Sequence, residues 1–422
     1  MARRKNVVWQ VWPWILFGLT ACLMASPAAV AQECELGVDR IRVGGQGVLS
    51  GPLADYGRQI QMGMQLAIEE INAAGGILGC ELEMRFLDSE LAPAVGVRNA
   101  RQLVDWGANF LVGTDSSGVA MALGPVLQEL DVIQFFTHAA THRLTEELVY
   151  EQGIEHIVRV STPVYQDAVG ALVVKDMPEV RRWATIGADY EYGYTAWQMF
   201  KELLRRHRPD VEFVAEAWAP FFTMDFTPHI ASVMAARPDG IFVTPWGGEA
   251  VMILRQALQM GVFDRIDVWW QAMGGSVDVL EGLTREIQAD RFQGKLWASG
   301  RYIHNWPDTE MNRRFVQAFQ ERWARLPNYS AETSYSAVYI AKAAIEKARS
   351  LETSAIIDAL KGMVVETPAG TRVFRDYDHQ FEYTVPAGRA VYDPAYPIAV
   401  LGDLRVFETE EFWRYPPFGP LE

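Results

Sequence analysis

The sequence predicts an α/β protein made of two doubly wound, Rossmann-like lobes of parallel sheet. Apolar runs of strand length alternate with amphipathic helical stretches, almost without a break, from about residue 41 to about residue 270. The alternation falls into two series that part near residue 159. The chain is 422 residues long, enough for two or three domains that each bury a core. Strand–helix–strand alternation produces parallel strands with helices on both faces, so two series mean two such lobes and a cleft where they meet.

The elements run as follows. Residues 41–49 read as a strand and 58–74 as a helix, with Ile60, Met64, Ala67, Ile68 and Ile71 on one face. Gly75-Gly76 ends this helix, because glycine takes the left-handed position after a helix without a Cβ clash. Strand 82–87, helix 94–106, strand 110–113, helix 119–130 and strand 132–136 complete the first series. The second contains strand 183–188, helix 195–206, strand 212–218, helix 227–236, strand 240–244, helix 250–260 and strand 267–270. Beyond residue 300 only helical patterns stand out, at 311–324, 331–348 and 354–362. The tail from Phe374 is aromatic and Pro-rich, with weak strand signals. These late segments are expected to complete the earlier sheets.

Composition narrows the function classes. Half of the residues are hydrophobic and 22% are charged, close to the globular average, which excludes disorder, collagen and a polytopic membrane protein. The formal charge of −15 repels phosphate backbones and argues against nucleic-acid binding. At the N-terminus, Arg3, Arg4 and Lys5 precede an apolar run over 7–19, and Ala29-Val30-Ala31 is a small-x-small cleavage site. Residues 1–31 therefore read as a bacterial signal peptide, with export to the periplasm. The apolar run is shorter than the ~20 residues that a bilayer span needs. Leu19-Thr20-Ala21-Cys22 offers a competing reading, a lipobox that would make Cys22 a lipidated first residue. Against it, the residues that follow are apolar where a polar tether is usual. After cleavage at Ala31, Cys34 and Cys80 are the only thiols left and they enter an oxidising compartment. They precede the first and second strands, whose entrances can be neighbours, so a Cys34–Cys80 disulfide is expected.

Motifs for catalysis, cofactors and metals are missing. The sequence has no phosphate-cradling loop, no G-x-G-x-x-G turn, no G-x-S-x-G elbow and no H-E-x-x-H. His138 and His142 read as loop or cap residues, and Asp376, Asp378 and His379 as a solvated turn. Asn328-Tyr329-Ser330 fits a glycosylation acceptor, which means little in a bacterial exported protein. No catalytic residue, cofactor or metal is expected. Small and hydroxyl residues, in contrast, gather where strands end and helices begin: Ser50-Gly51, Asp115-Ser116-Ser117-Gly118 and Thr137 to Thr141. Open α/β sheets bind ligands at this edge, where free N–H groups and the positive ends of helix dipoles favour a carboxylate. Ordinary N-capping uses the same residue types; three such loops on one edge favour a ligand.

The run Gly47-Val48-Leu49-Ser50-Gly51-Pro52, then Tyr56-Gly57, Gly63 and Ala67-Ile68-Glu69-Glu70-Ile71-Asn72-Ala73-Ala74-Gly75-Gly76-Ile77-Leu78-Gly79, resembles the opening of type I periplasmic binding proteins, nearest to the leucine/isoleucine/valine binders of ABC importers. Ser116-Ser117-Gly118, Leu144-Thr145, Tyr190-Glu191-Tyr192-Gly193 and Leu254-Arg255-Gln256-Ala257 continue the likeness in order, over about residues 38–370. The resemblance implies two lobes joined by three crossovers, expected near residues 159, 300 and 367. Lobe 1 would then hold 36–158 and 300–366, and lobe 2 would hold 159–299 and 367–422. It implies a monomer that closes on a small-molecule ligand and presents it to a membrane permease. Ser117 matches the serine that holds the ligand's carboxylate, and Ala139, Ala140 and Thr141 match the loop beside it. Tyr56 and Tyr192 match aromatics at the cleft mouth, and Trp246 an aromatic of lobe 2. Where amino-acid binders carry a glutamate for the ligand's ammonium group, a count back from Leu280 places Met273. An ammonium buried without a counter-charge is costly, so a related organic acid competes with a branched-chain amino acid as the ligand. A pocket with Tyr192, Trp246 and Met273 suits an aromatic or aliphatic carboxylate, and Asp115 or Glu249 could replace the missing glutamate. A sensory ligand-binding protein on the same fold is the alternative function.

Overall fold

Two mixed sheets organise the chain, in a computed structural model that describes residues 34–51 and 53–419. The signal-peptide reading and Cys22 lie outside these residues. The first sheet starts as sequence alternation demands: β1 (Ile41–Gly47), α1 (Ala54–Ala73), β2 (Leu82–Asp88), α2 (Pro93–Asp105), β3 (Phe110–Gly113), α3 (Ser117–Leu130), β4 (Gln134–Phe136) and β5 (Ile157–Arg159). A widened helical turn, Leu144–Glu151, joins the last two strands. The second series follows, with α4 (Gly170–Val174), β6 (Arg182–Ala188), α5 (Glu191–His207), β7 (Glu212–Ala219), α6 (Thr227–Ala235), β8 (Gly240–Val243), α7 (Gly248–Gln259), β9 (Val268–Gln271), α8 (Val277–Gln288) and β10 (Leu296–Ser299). Next come α9 (Glu310–Trp323), α10 (Tyr329–Ala348) and α11 (Thr353–Leu360). Strands β11 (Val364–Thr367), β12 (Gly370–Arg375), β13 (Gln380–Glu382), β14 (Val385–Val391) and β15 (Val400–Phe407), with α12 (Thr409–Phe412), end the chain.

The sheet orders are β11-β12-β13-β5-β4-β3-β1-β2 and β15-β14-β10-β9-β8-β6-β7. The strands of each alternating series are parallel, as expected. Each sheet then gains an antiparallel edge, β11–β12–β13 in the first and β14–β15 beside β10 in the second. The chain thus passes between the sheets three times. The third passage departs from expectation: strands β12 and β13 belong to the first sheet, so the chain crosses at Tyr383-Thr384 and not at 367. The cause is a pairing that no local pattern announces, Gln380 of β13 against Arg159 of β5.

The amphipathic reading of α1 holds. Ile60, Met64, Ala67, Ile68 and Ile71 are all buried, and they join Ala337, Ile340, Ala341 and Ala344 of α10 in one core. The two helices approach closely at Gly63, where a Cβ would stand 2.1 Å from the Ala331 carbonyl oxygen. Gly75 and Gly76 end the helix at φ +101° and +79°. The predicted Cys34–Cys80 disulfide is present and closes a separation of 46 residues.

One sequence reading needs correction, and one motif finds a structural use. Asp376, Asp378 and His379 do not form a solvated turn. Asp378 is buried and accepts from Arg375 Nε at 2.9 Å, and buried His379 faces the carbonyls of Glu155 and Ile157. Only Asp376 of the three is exposed. Asn328 is the buried N-cap of α10, its side-chain oxygen accepting from Ser330 N and Ala331 N, which uses the acceptor motif for capping.

One buried arginine ties the three crossings together. Arg372 Nη2 donates to Glu332 of α10 at 2.6 Å and its Nη1 to the Val160 carbonyl at 2.5 Å, just past β5. Its guanidinium lies 3.8 Å from the centre of the Tyr383 ring at the third crossing. The Tyr383 hydroxyl donates to the Arg301 carbonyl, on the second crossing, at 3.2 Å. The tail adds a further link. After β15 of the second sheet, Trp413 packs between Tyr165 and Arg375, Arg414 pairs with Glu146 at 3.2 Å, and Phe418 meets Tyr150 edge to face. The tail that leaves the second lobe therefore finishes on the first.

Candidate functional site

A cavity of about 430 Å³ opens between the lobes at the carboxyl ends of the strands. The first lobe contributes Asp115, Ser116, Ser117 and Gly118 after β3, and His138 and Ala140 after β4. The second contributes Tyr190, Glu191 and Tyr192 after β6, Phe221 and Phe222 after β7, Trp246 after β8 and Met273 after β9. Arg301, two residues past β10, comes from the second crossing, and Leu53 and Leu91 add aliphatic surface to the first lobe's wall.

The loop that leads into α3 presents its first turn to this space, with Ser116 extended at the N-cap and Ser117 first in the helix. Asp115 faces inward but is engaged, accepting from Val48 N–H and, at 3.1 Å, from the Ser89 hydroxyl. Burial pushes its carboxyl up to about 6. His138 is held by Ser330 Oγ at 2.8 Å and Tyr329 OH at 3.0 Å. Burial, with Arg301 adding to it, lowers its pKa well below the usual histidine range, so the ring is neutral. Its partners are thus α10 side chains and not the lining serines Ser116 and Ser117.

Arg301 is the buried cation of the site. Its Nη1 donates to the His138 carbonyl of the first lobe at 3.0 Å, and its Nη2 to Asp167 of the second at 3.1 Å. Burial opposes its charge, but Asp167 outweighs this and raises the guanidinium above its usual value; burial likewise raises Asp167. The rest of the second-lobe wall is aromatic or soft. Trp246 Nε1 donates to Tyr190 OH at 3.0 Å, and Phe221 stacks on Tyr190 with centroids 4.3 Å apart. Met273 enters the cavity from a left-handed backbone, φ +59°, which costs a side-chain-bearing residue about 1–2 kcal/mol.

Of the residues singled out from sequence, Asp115, Ser116, Ser117, Ala140, Tyr192, Trp246 and Met273 line the cavity. Ser50 does not. Asp115 and Asp88 take the N–H groups of Val48 and Leu49, and Ser50 is turned to solvent. Tyr56 stands behind the wall, not at the mouth: it is buried, T-shaped against Trp246 and His138, and its hydroxyl donates to Asp278 of the other lobe at 2.7 Å. Ala139 is buried with its N–H on Thr114 O, and Thr141 spans the cleft to Glu191 Oε1 at 2.6 Å. Glu249 lies off the cavity and accepts from Phe222 N–H at 2.5 Å. The sequence reading missed Arg301, Phe221 and Phe222, and took His138, inside the Thr137 to Thr141 loop, for a loop or cap residue. Tyr190 and Glu191 stood inside the quoted Tyr-Glu-Tyr-Gly run, so that signal was present. Arg301 follows a strand that the hydrophobic pattern did not reveal. Among the described residues no group of three His, Cys, Asp or Glu side chains is placed to hold a metal ion.

Comparison with known proteins agrees with this geometry. A leucine/isoleucine/valine-binding protein homologue of Brucella melitensis is 28% identical over 80% of this chain and 87% of its own length. The Leu/Ile/Val-binding protein BraC3 of Rhizobium johnstonii is 29% identical over 83% and 91%. An ABC-transporter solute-binding protein of Rhodopseudomonas palustris, solved with 3,4-dihydroxybenzoic acid, superposes with a TM-score of 0.78 at 22% identity, over 88% of this chain and 98% of that one. The family model described as periplasmic binding protein matches residues 40–392. With most of its length covered by that model and a cavity between two lobes in the expected place, the chain belongs to the periplasmic binding protein family.

Proposed function

We propose that this solute-binding protein serves an ABC importer, capturing a small carboxylate with an apolar body and handing it to a membrane permease. The observation that carries the reading is the cavity between the lobes: the first turn of α3 on one side, and Tyr192, Trp246 and Met273 on the other. Backbone N–H groups at a helix start, with two serines, suit an anionic oxygen pair. The apolar wall suits the rest of the ligand. Both lobes touch it, so ligand stabilises the closed form by its differential affinity, and the protein acts by binding and not by catalysis. Residues 1–31 direct export, with cleavage after Ala31 or lipidation at Cys22 as the two routes of processing; the intact mass of the exported protein separates them.

An acid without an α-ammonium group is the favoured ligand. Met273, where the count from Leu280 puts the counter-charge, lines the cavity, and the lining carboxylates are occupied, Asp115 by Val48 and Ser89 and Glu191 by Thr141. Thermal unfolding against branched-chain amino acids, aromatic acids, short aliphatic acids and amides tests this. Ligand at ~100 times its Kd adds ~2.7 kcal/mol, a rise of several degrees for lobes of this size. A rise with acids is the expected result. A rise with leucine or valine would sink the ammonium argument, and silence across the panel would sink the importer reading in favour of a sensory one.

Acidity supplies a second check. Asp115 has a carboxyl pushed up to about 6, so it sheds its charge as the pH falls from 7.5 to 5.5. An anionic ligand prefers the neutral form, and its binding raises the Asp115 pKa further. Affinity for a carboxylate should therefore rise by about tenfold over that interval, the equivalent of one pKa unit. A ligand whose ammonium sits at Asp115 would show the opposite slope. Asp115→Asn, which can still accept from Val48 N–H and donate to Ser89, should flatten the profile in titration calorimetry at both pH values.

A further inference from the structure

The segment between β7 and α6, Pro220-Phe221-Phe222-Thr223-Met224-Asp225-Phe226, combines two features that seldom coincide in a surface loop. It is apolar and open to solvent, with Phe221 39% exposed and Phe222 51% exposed, and both rings also line the cavity. Yet it is firmly tethered to α7. Glu249 accepts from Phe222 N–H, Gln256 accepts from Phe226 N–H at 2.6 Å, and Gln256 Nε2 donates to Met224 O at 3.0 Å. Phe222 is held at φ +64°, a conformation that a bulky residue keeps only when its surroundings impose it. The loop is thus built to hold two phenyl rings at the mouth, at the cost of leaving them wet.

The rings extend an ordered aromatic series. Phe222 adjoins Phe221 at 5.7 Å, Phe221 stacks on Tyr190 at an interplanar angle of 28°, and Tyr190 adjoins Tyr192 at 5.8 Å. The first lobe lines the same cavity with the aliphatic side chains of Leu53 and Leu91, beside the loop serines and His138. A flat ring entering beside Phe221 and Phe222 continues this aromatic series. A saturated body of equal size fills the space but gains no ring–ring geometry.

We propose that Phe221 and Phe222 form a clamp that selects planar aromatic carboxylates, with Glu249 as the positioning residue that sets it. The proposal rests on the reading of this cavity as the ligand site, and adds the substrate class and the residues that decide it. Titration calorimetry of the mature protein with benzoate and with cyclohexanecarboxylate, acids alike in size and charge, tests both levels. Benzoate is expected to bind at least tenfold more tightly. In the double variant Phe221→Leu/Phe222→Leu, benzoate should weaken about tenfold while cyclohexanecarboxylate stays within about threefold. Glu249→Ala should reproduce this collapse of the ratio, and Glu249→Gln, which keeps an acceptor for Phe222 N–H, should restore it; a purely structural glutamate would shift both acids together. Equal affinity of the unaltered protein for the two acids, or an unchanged ratio in the leucine variant, overturns the clamp and leaves the carboxylate site standing. Binding of neither acid overturns both.

Discussion

Replacing Arg372 by methionine is expected to lower the unfolding free energy by about 3–5 kcal/mol. Arg372 and Glu332 are both fully buried, 2.6 Å apart. Removing the guanidinium leaves the Glu332 carboxylate in a dry interior with Ser336 and Thr333 as its remaining side-chain partners. The deficit comes from that stranded charge more than from the lost attraction, because desolvating a carboxylate costs several kcal/mol that the pairing had offset. A second variant separates the two. Arg372→Met with Glu332→Leu removes both charges and should recover most of the loss, as apolar replacements of buried pairs commonly do. Denaturant titrations of the wild type, single and double variants measure this. A single variant within about 1 kcal/mol of wild type would show that water reaches the pair. Because Arg372 also touches Val160 and Tyr383, the double variant is expected to keep stability yet bind ligand more weakly, its crossings no longer held in register.

Removing the Cys34–Cys80 bridge is the other large effect. The bond spans 46 residues that include β1 and the whole of α1. Releasing a loop of that length costs about 4 kcal/mol on the chain-entropy account. Calorimetry of Cys34→Ala/Cys80→Ala should show a fall of about ten degrees in Tm. Reductant added to the wild type should produce the same fall, and none in the variant. Equal Tm values with and without the bridge would mean that the unfolded chain already holds these segments together.

The sequence made the first-series and second-series elements legible for a physical reason. Where a helix packs one face on a sheet, as α1 does through Ile60, Met64 and Ile71, burial is written at a local period and survives reading by eye. The loops after β3 and β4 were legible in the same way, since small and hydroxyl residues mark a turn into a helix. What escaped lies where burial is achieved by distant partners. Arg159, Arg372 and Gln380 look like surface residues in sequence, yet all are buried, satisfied by groups far along the chain. That is why β5 and β13 went unseen and the third crossing was set too early. Arg301 was hidden behind β10, a strand of four residues. Met273 was found by counting; its left-handed backbone was not, since that conformation is imposed by the turn around it.

The returning tail bears on how closure could be watched. Cys34 is tied to Cys80 at the entrance to β2, and Trp413, Arg414 and Phe418 rest on the same lobe through Arg375, Glu146 and Tyr150. Fluorophores attached at the two ends of the described chain would ride together and report almost no change in distance when ligand binds. A donor near residue 34 with an acceptor at position 224, on the opposite rim and 71% exposed, would instead span the moving gap. An optical sensor for the ligand made from this chain therefore needs an internal label, because Cys34 and Phe418 are anchored on one half.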